Sequence, residues 1–237
     1  MKKVIFLYEY STLSVQDWLQ GGYEVWCFDG QHPKGATREK VDKGVLVKVG
    51  MWLERDIPTL DTIYSLVGDG VVFVGGFPEC TDLAVSGAAH FKKKLEANPD
   101  CQRIATERAK LVEDVANMYD APWFAENPVS VLATLWRKSN YSFHPYEYGG
   151  YLPEGDVHPT YPEYINPRDA YPKKTCFWTG NGFVMPDKRE VNVPRDENGK
   201  VLYSSQYHKL GGKSLKTKNI RSASPRGIMK AIYLANK

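Results

Sequence analysis

Short apolar runs that alternate with helical segments constrain the fold of this chain more than any other feature. Residues 4–8 form a continuous apolar run, as expected for a parallel strand that is covered on both faces. Residues 14–19 have helical spacing and stop at Gly21-Gly22, and residues 23–28 then form a second strand-like run. This opening predicts a strand, a helix and a second strand parallel to the first.

The same alternation continues along the chain. It predicts strands at 45–49, 71–74, 123–125 and 175–178, and helices at 57–66, 83–95, 101–119 and 228–234. Ser224 is the predicted N-cap of the last helix, with Pro225 in its first turn. The whole pattern predicts an α/β fold with a doubly wound, mostly parallel sheet, in which ligands bind at the carboxyl ends of the strands.

Residues 141–171 interrupt this pattern with many Pro, Tyr and Gly residues, which do not form regular helix or central strand. A loop of this length inside a compact domain is usually functional. We therefore expect three regions. These are a Rossmann-like catalytic core at 1–140, a long irregular insertion at 141–212 as a candidate recognition region, and a C-terminal helix at 213–237 that completes the core.

The composition is that of a globular protein. The chain has 237 residues, of which 42% are hydrophobic and 25% are charged. No apolar run approaches the roughly 20 residues that span a bilayer, so we expect no membrane segment. The four cysteines lie far apart without a Cys-x-x-Cys pair, which argues against a zinc ribbon or a disulfide framework, and we expect a cytoplasmic protein. His144, His158 and Cys176 match no zinc-ligand spacing, and we expect no metal site.

The formal net charge is only +3, but positive charge is concentrated near the C-terminus. Between Lys209 and Lys230 there is no acidic residue, and the further basic residues are Lys213, Lys216, Lys218, Arg221 and Arg226. A run of this kind is compatible with a solvated surface and with contacts to phosphate groups. The sequence leaves both interpretations open.

Cys80 is the strongest candidate for a reactive residue. It follows the predicted strand at 71–74 and a Gly-Gly-Phe-Pro turn, and it precedes the predicted helix at 83–95. A thiol beside helix amides has a lowered pKa, because the helix N-terminus stabilises the thiolate. The alternative is a buried cysteine with a packing role, as most cysteines have.

Glu126 and Asn127 follow the predicted strand at 123–125, so Glu126 is expected to face the same crevice as Cys80. A carboxylate at this place can bind a ring nitrogen and an exocyclic amine of a base at the same time. The alternative is structural, with Asn127 capping a helix ahead of Pro128.

Together, these two segments resemble motifs of the cytosine-5 DNA methyltransferases. Residues 76–87 are similar to the family's Pro-Pro-Cys-Gln segment, with Glu79 in place of the second Pro and Thr81 in place of Gln. Glu126-Asn127-Pro128 resembles the family's Glu-Asn-Val. The order of the two motifs is that of the family.

The resemblance extends over nearly the full chain. Residues 222–232 are similar to the family's last motif, Asn-Ala-Val-Pro-Pro-Pro and its helix, with Ser222 in place of Asn. Residues 7–13 correspond to the family's Phe-x-Gly-x-Gly motif but contain no glycine. The overall layout resembles that of short phage-encoded members of the family.

The resemblance implies a Rossmann-like methyltransferase fold and transfer of a methyl group from S-adenosylmethionine to carbon 5 of a pyrimidine. Cys80 would add to carbon 6 while Glu126, next to Asn127, engages ring nitrogen 3. A target base in duplex DNA would be flipped out of the stack. The implied contact residues are Glu9, Tyr10, Ser11, Asp29 and Phe77 for the cofactor, and Pro78, Thr81, Ser86, Arg137, Lys138 and Arg226 for the substrate.

Two alternatives remain open from the sequence. The first keeps the fold and Cys80 but acts on a free pyrimidine nucleotide or another small molecule, because residues 141–212 are short for a DNA-recognition domain. The second is a scaffold that binds nucleic acid or a host protein without catalysis, because the glycine loop is missing. The oligomeric state does not follow from either.

Overall fold

The computed structural model describes residues 1–202, 206, 209–211 and 214–237. These residues form two compact units, of which the first, the sheet unit, comprises Met1–Ser142, Thr175–Val184 and Asn236. The second unit comprises Phe143–Lys174, Met185–Ala235 and Lys237. The predicted boundary at residues 212 and 213 lies outside the described residues, as does Lys213 of the basic run.

The sheet unit is built on one mixed sheet. Its strands are β1 Lys3–Leu7, β2 Glu24–Phe28, β3 Gly35–Val41, β4 Gly44–Gly50, β5 Val71–Gly76, β6 Trp123–Pro128, β7 Tyr141–Phe143 and β8 Thr175–Gly180. The spatial order is β3-β4-β2-β1-β5-β6-β8-β7. Neighbours from β4 to β6 pair in parallel, whereas β3 with β4 and β6 with β8 pair antiparallel. The predicted α/β fold with a mostly parallel, doubly wound, Rossmann-like sheet is confirmed.

The order of the parallel strands indicates where along the edge of the sheet a ligand is expected to bind. From β1 the chain proceeds outward to β2 and β4 on one side, and it then returns to place β5 on the other side of β1. The connections leave β1 and β5 in opposite directions at this point, and in sheets of this kind a ligand-binding crevice is expected at the carboxyl ends of the two strands. The loops after β1 and β5 therefore border the expected binding site.

Helices cover both faces of this sheet and continue in the second unit. They are α1 Gln16–Gln20, α2 Ile57–Val67, α3 Phe91–Ala97, α4 Cys101–Met118, α5 Leu132–Leu135, α6 Leu215–Ser222 and α7 Arg226–Asn236. The helices predicted at 57–66 and 101–119 are confirmed. Asp56 caps α2 by accepting a hydrogen bond from the Thr59 amide at 2.8 Å. A buried stripe of α4, including Leu111, Val112 and Val115, packs into the main core.

Two glycines extend β5 beyond the predicted strand at 71–74. A Cβ atom on Gly75 would lie 2.6 Å from the ring of Phe6, and one on Gly76 would lie 2.4 Å from Val112. Since real Cβ atoms do not approach so closely, only glycine allows Phe6 and α4 to pack against the end of this strand. The glycines thereby bring the helix layer up to the edge of the crevice.

The helix predicted at 83–95 is wrong in extent. Leu83 is buried, and its carbonyl accepts a hydrogen bond from the Val131 amide at 3.0 Å. This pairing with the segment after β6 prevents a helix from starting at Leu83. A 3-10 helix occupies Val85–His90 instead, and α3 follows with no buried residue.

Strand β3 was not predicted, because its sequence is polar and every residue up to Lys40 is exposed. Its place follows from the hairpin with β4, in which Val41 pairs with Gly44.

The predicted N-cap of the last helix is also wrong. Pro225 occupies that position, and the Gly227 amide donates to the carboxylate of Asp169 at 2.8 Å. A carboxylate from a distant loop therefore caps α7 in place of Ser224.

Within the part of the chain that the structure describes, no helix is long and apolar enough to cross a membrane. The same residues contain no group of three or more side chains suited to holding a metal ion.

Candidate active site

Cys80 and Glu126 belong to two neighbouring segments, since Cys80 lies in the loop after β5 and Glu126 lies near the end of β6. The pairing of β5 with β6 runs up to Gly76 opposite Ala125. Glu126 is the next residue on β6, and Cys80 follows four residues after Gly76. Both side chains are half-buried. The register therefore brings the ends of β5 and β6 to the same edge of the sheet, and a shared site for Cys80 and Glu126 stays a prediction.

Asn127 ties the two strand ends together. Its side chain is 1% exposed, and Nδ2 donates a hydrogen bond to the Pro78 carbonyl at 3.0 Å. This contact crosses from β6 to the loop that carries Cys80. Asn127 is not a helix cap, so the structural alternative considered for it is wrong. Its Oδ1 atom is buried without a hydrogen-bond partner among the described residues.

Main-chain hydrogen bonds also join the residues after Cys80 to the segment after β6. The Val85 amide donates to the Val129 carbonyl at 3.0 Å, and Ala84 forms an isolated bridge with Ser130. The loop after β5 is thus paired with the segment after β6 both before and after Cys80. Because a side-chain contact before Cys80 and main-chain contacts after it hold this loop, the position of the thiol depends on β6 as well as on β5.

The local environment of Cys80 differs from the one predicted. Its carbonyl accepts hydrogen bonds from the amides of Leu83 and Ala84, at 3.0 and 2.9 Å, which makes the segment a tight turn. The first helical residue is Val85, five positions later. The expectation that a helix N-terminus lies next to the thiol is therefore wrong, because the intervening residues pair with the β6 segment.

The predicted substrate contacts near Cys80 differ in exposure. Pro78 is buried, whereas Thr81 and Ser86 are exposed. The Thr81 hydroxyl donates to the Glu79 carboxylate at 2.6 Å. Lys94 of α3 pairs with Asp82 at 3.0 Å, which neutralises an acid close to the thiol loop. Thr81 and Ser86 remain predictions as substrate contacts.

On the β1 side, the loop folds around the carboxylate of Glu9. This side chain is 3% exposed and accepts hydrogen bonds from the Ser11 hydroxyl at 2.7 Å and the Thr12 amide at 2.6 Å. The Ser14 hydroxyl donates to its second oxygen. Burial raises the pKa of Glu9, although these hydrogen bonds oppose the shift. The carboxylate therefore organises its own loop.

The same loop adopts glycine-like backbone angles without containing glycine. Tyr8 has φ 60° and Thr12 has φ 58°, both in the left-handed region. Residues other than glycine rarely adopt backbone angles in this region, and each such residue costs roughly 1–3 kcal/mol of strain. The hydrogen bonds to Glu9 offset this strain, so the loop keeps a tight turn that the sequence alone did not indicate.

Asp29 lies beside this loop at the end of β2. It is 9% exposed, and Oδ1 accepts a hydrogen bond from the Gln31 amide at 2.7 Å. Its charge contributes to the raised pKa of Glu9, which shows that the two carboxylates are neighbours. Tyr10 is 47% exposed, and its ring centre lies 5.4 Å from that of His32. The side chains of Glu9, Tyr10, Asp29 and His32 therefore lie in one corner of the crevice.

Trp52 lies next to this corner, and the sequence analysis did not single it out. Its indole lies against the backbone of Gly30, since a Cβ atom on Gly30 would be 2.3 Å from the ring. Trp52 is nevertheless 77% exposed, so its ring lies beside Gly30, the residue after Asp29, and is largely open to solvent. The sequence signal that could have found it is a tryptophan shortly after the end of one strand, combined with a glycine directly after the acid that ends the neighbouring strand.

Phe77 connects the two sides of the crevice. Its amide donates to the Leu7 carbonyl of β1 at 3.0 Å. Its ring stacks on Phe6 with a centroid distance of 6.4 Å and meets Phe124 edge to face at 5.7 Å. These contacts give Phe77 a packing role in the sheet unit, and its predicted role in cofactor binding stays a prediction.

The predicted basic contacts lie in different units. Arg137 belongs to the sheet unit, where it stacks over Trp136 at 4.8 Å and donates to Asn140 at 2.7 Å. Lys138 next to it is exposed. Arg226 belongs to the second unit and forms an ion pair with Asp156 at 2.5 Å. Arg137 and Arg226 thus have internal partners, whereas Lys138 projects into solvent.

No family model matches this chain, and no curated protein matches it. A solved structure of a protein encoded within a prophage of E. coli, provisionally named a DNA modification methyltransferase, is similar to it. The match has a TM-score of 0.41 and 12% sequence identity, and it covers 76% of this chain and 46% of that chain. This chain therefore spans less than half the length of that protein.

Proposed function

We propose that this protein is a methyltransferase that transfers a methyl group from S-adenosylmethionine to carbon 5 of a cytosine in DNA, through a covalent adduct on Cys80. The observation that carries the proposal is the pairing of the Cys80 loop with the Glu126 strand. Asn127 bonds to the Pro78 carbonyl at 3.0 Å, and the register ends at Gly76 opposite Ala125. These contacts support a site in which the Cys80 thiol and the Glu126 carboxylate act together at this edge of the sheet.

The corner formed by the β1 and β2 loops supports the cofactor. An acid at the end of the second strand, here Asp29, is suited to ribose hydroxyls. Its Oδ1 atom already accepts from Gln31, which leaves Oδ2 for a ligand. The exposed indole of Trp52 offers a face on which a purine can stack. The residues present thus fit the nucleoside part of S-adenosylmethionine, and when bound it supplies an electrophilic methyl group.

Each proposed catalytic residue has one task. The Cys80 sulfur forms a bond to carbon 6, which places electron density on carbon 5. Glu126 holds the proton at ring nitrogen 3 and accepts a hydrogen bond from the exocyclic amine. After carbon 5 has gained the methyl group, a water molecule takes the carbon 5 proton, the electrons of that C–H bond re-form the 5,6 double bond, and the sulfur–carbon bond breaks to restore the thiolate. Asn127 keeps the Cys80 loop in register with Glu126.

Transfer of a labelled methyl group tests the proposal. The intact protein is expected to bind S-adenosylhomocysteine in calorimetry and to label duplex DNA at cytosine carbon 5. The absence of cofactor binding by intact protein would refute the proposal.

A duplex that contains 5-fluorocytosine tests the covalent step by itself. Fluorine at carbon 5 cannot leave as a proton, so the sulfur–carbon 6 bond persists and the complex survives denaturing electrophoresis. The Cys80→Ser variant is the matched control and is expected to form no such complex. A complex that forms equally well in this variant would mean that another residue is the nucleophile.

The substrate form distinguishes the proposal from its alternatives. Labelling of a free pyrimidine nucleotide but not of DNA would select an enzyme for small molecules. DNA binding without turnover, unchanged in a variant that combines Cys80→Ala with Glu126→Ala, would select a scaffold that binds without catalysis. The duplex and the nucleotide are therefore assayed side by side.

A further inference from the structure

Charge is divided unequally along the chain. The last 40 residues, 198–237, contain nine of the 31 Lys and Arg residues and none of the 28 Asp and Glu residues. The preceding residues hold the other 22 basic residues and all 28 acidic ones, which is a net charge of −6. Positive charge of this kind attracts polyanions only if it is exposed and not neutralised by the fold.

In the second unit, several basic residues lie on or next to the segments that form one small hydrophobic core. Ile165, Tyr171, Leu210, Ile220 and Ala223 form this core, with Tyr161 and Tyr164 packed against it. We call these basic residues the basic surface. Its members are Lys173, Lys174, Lys209, Lys216, Lys218 and Arg221.

Backbone carbonyls position several members of the basic surface. Lys173 donates to the Arg221 carbonyl at 2.9 Å, and Arg221 in turn donates to the Leu210 carbonyl at 2.8 Å. Lys209 donates to the Glu163 carbonyl at 2.7 Å. A carbonyl fixes the direction of a cation without cancelling its charge. These hydrogen bonds therefore hold positive charge in place for an external anion.

Helix α6 presents two more members of the basic surface. It buries Thr217 and Ile220, while Lys216 and Lys218 are exposed. The Lys216 ammonium lies 5.5 Å from the ring centre of Tyr164, which places it over the edge of the small core. In the described residues, Lys209, Lys216, Lys218 and Arg221 form no ion pair with an acid.

In the sheet unit, several cations form ion pairs with acids. Arg55 pairs with Glu107 and Asp114, both at 2.5 Å, and Lys110 also pairs with Glu107, at 2.8 Å. Arg108 pairs with Glu54. Because these cations are neutralised by neighbouring acids, the sheet unit offers little net positive charge there. The basic surface therefore differs from this cluster of paired cations in the sheet unit.

We propose that the basic surface binds the phosphodiester backbone of a nucleic acid. Resting on the function proposed above, it would hold the DNA that carries the target base. Exposed lysine and arginine side chains that no acid neutralises attract phosphate groups, and such contacts carry no base specificity. Binding should therefore be tight at low salt, weaken steeply with added salt and depend little on sequence.

Fluorescence anisotropy with a labelled duplex of mixed sequence, across a series of KCl concentrations, tests this inference. The variant Lys174→Gln/Lys216→Gln/Lys218→Gln is expected to bind at least roughly tenfold more weakly at low salt. The slope of log affinity against log salt should fall by about 0.9 for each phosphate that is no longer neutralised, hence by about 2 to 3. Circular dichroism verifies that the variant is folded.

The matched control removes the same charge from the sheet unit. Lys34, Lys40 and Lys43 are all exposed on or next to the β3–β4 hairpin. The variant Lys34→Gln/Lys40→Gln/Lys43→Gln is expected to change the affinity by less than about twofold, because these residues lie outside the basic surface. Equal losses in the two triple variants would overturn the inference, since net charge alone would then explain binding.

Two further measurements separate the inference from its rivals. Vesicles rich in phosphatidylserine should not compete with the duplex, and effective competition would identify a lipid surface as the partner. The Cys80→Ala variant should bind the duplex as the parent does. Methyl transfer that continues with unchanged DNA affinity in the Lys174→Gln/Lys216→Gln/Lys218→Gln variant would overturn the inference and leave the proposed function intact.

Discussion

The two sides of the crevice differ in what holds them together. On the β5–β6 side, Asn127 and main-chain pairs join two separate loops, and Cys80 lies between these contacts. On the β1–β2 side, the buried carboxylate of Glu9 gathers three hydrogen bonds from its own loop. One side is held by contacts between strands and the other by contacts within a loop. We infer that changes on the first side affect chemistry and that changes on the second affect ligand affinity.

The largest effect is expected for Cys80→Ala. If the thiol is the nucleophile, methyl transfer should fall by on the order of 10³-fold or more, because no other group can form the bond to carbon 6. The affinity for S-adenosylhomocysteine should stay the same, since the cofactor corner lies on the other side. Rates from radiolabelled transfer and affinities from calorimetry check both halves of the prediction. A large loss of cofactor affinity would break the separation of the two sides.

Glu126→Gln is expected to reduce kcat by about 10² to 10⁴-fold, because the amide cannot deliver or take a proton at ring nitrogen 3. The variant keeps the shape of the side chain, so its melting temperature should be close to that of the parent. Single-turnover kinetics separate the chemical step from binding. A change confined to KM would show that Glu126 binds the base without assisting the reaction.

Asn127→Ala removes the hydrogen bond to the Pro78 carbonyl and leaves that carbonyl buried. A loss of roughly 1–3 kcal/mol in the free energy of unfolding is expected, as for other buried hydrogen bonds. Catalysis should fall with it because the Cys80 loop is no longer tied to β6. Ser130→Ala is the matched control, since its buried hydroxyl has no partner within the described residues. Urea denaturation of both variants gives the comparison, and equal losses would argue against a specific role for Asn127.

On the other side of the crevice, Asp29→Asn should weaken S-adenosylhomocysteine binding by about tenfold, which corresponds to about 1.4 kcal/mol. The interaction removed is the hydrogen bond from ribose hydroxyls to a charged acceptor. The 5-fluorocytosine complex tests the chemistry of Cys80 in the same variant at saturating cofactor, and it should form normally. Failure to form it would mean that Asp29 also positions the nucleophile.

The smallest effect concerns pH. Burial raises the pKa of Glu9 above its usual value of 4.5, so its stabilising contribution is present below that pH. The contribution is lost as the pH rises through the folded-state pKa, because the buried carboxyl must then ionise. Glu9→Gln should remove this component and flatten the dependence of unfolding free energy on pH above 4.5. Glu96→Gln, at an exposed position, is the control and should leave the dependence unchanged.

The sequence predicts the parallel part of the sheet because its strands are buried on both faces and are therefore apolar throughout. It also places Cys80 and Glu126 at one edge, since strand ends follow from the apolar runs. Strand β3 lacks such a pattern because neither face is buried. Its position depends on pairing with β4, which local composition does not reveal.

The details of the site depend on contacts that are distant in sequence. The bond from Asn127 to Pro78 spans 49 positions, and no local pattern indicates it. Trp52 reaches Gly30 only because β2 and β4 are neighbours in the sheet. The left-handed Thr12 is similar, because Glu9 stabilises a turn that composition argues against.

The polar strand β3 has a consequence for how copies of this protein meet. It forms one border of the sheet, and its middle residues Arg38, Glu39 and Lys40 are all exposed. An unpaired strand border is a template for joining sheets from two molecules, and charged side chains on it oppose such joining. Strand β3 therefore shields the apolar strand β4 from intermolecular strand pairing, and it protects the protein against aggregation through this border.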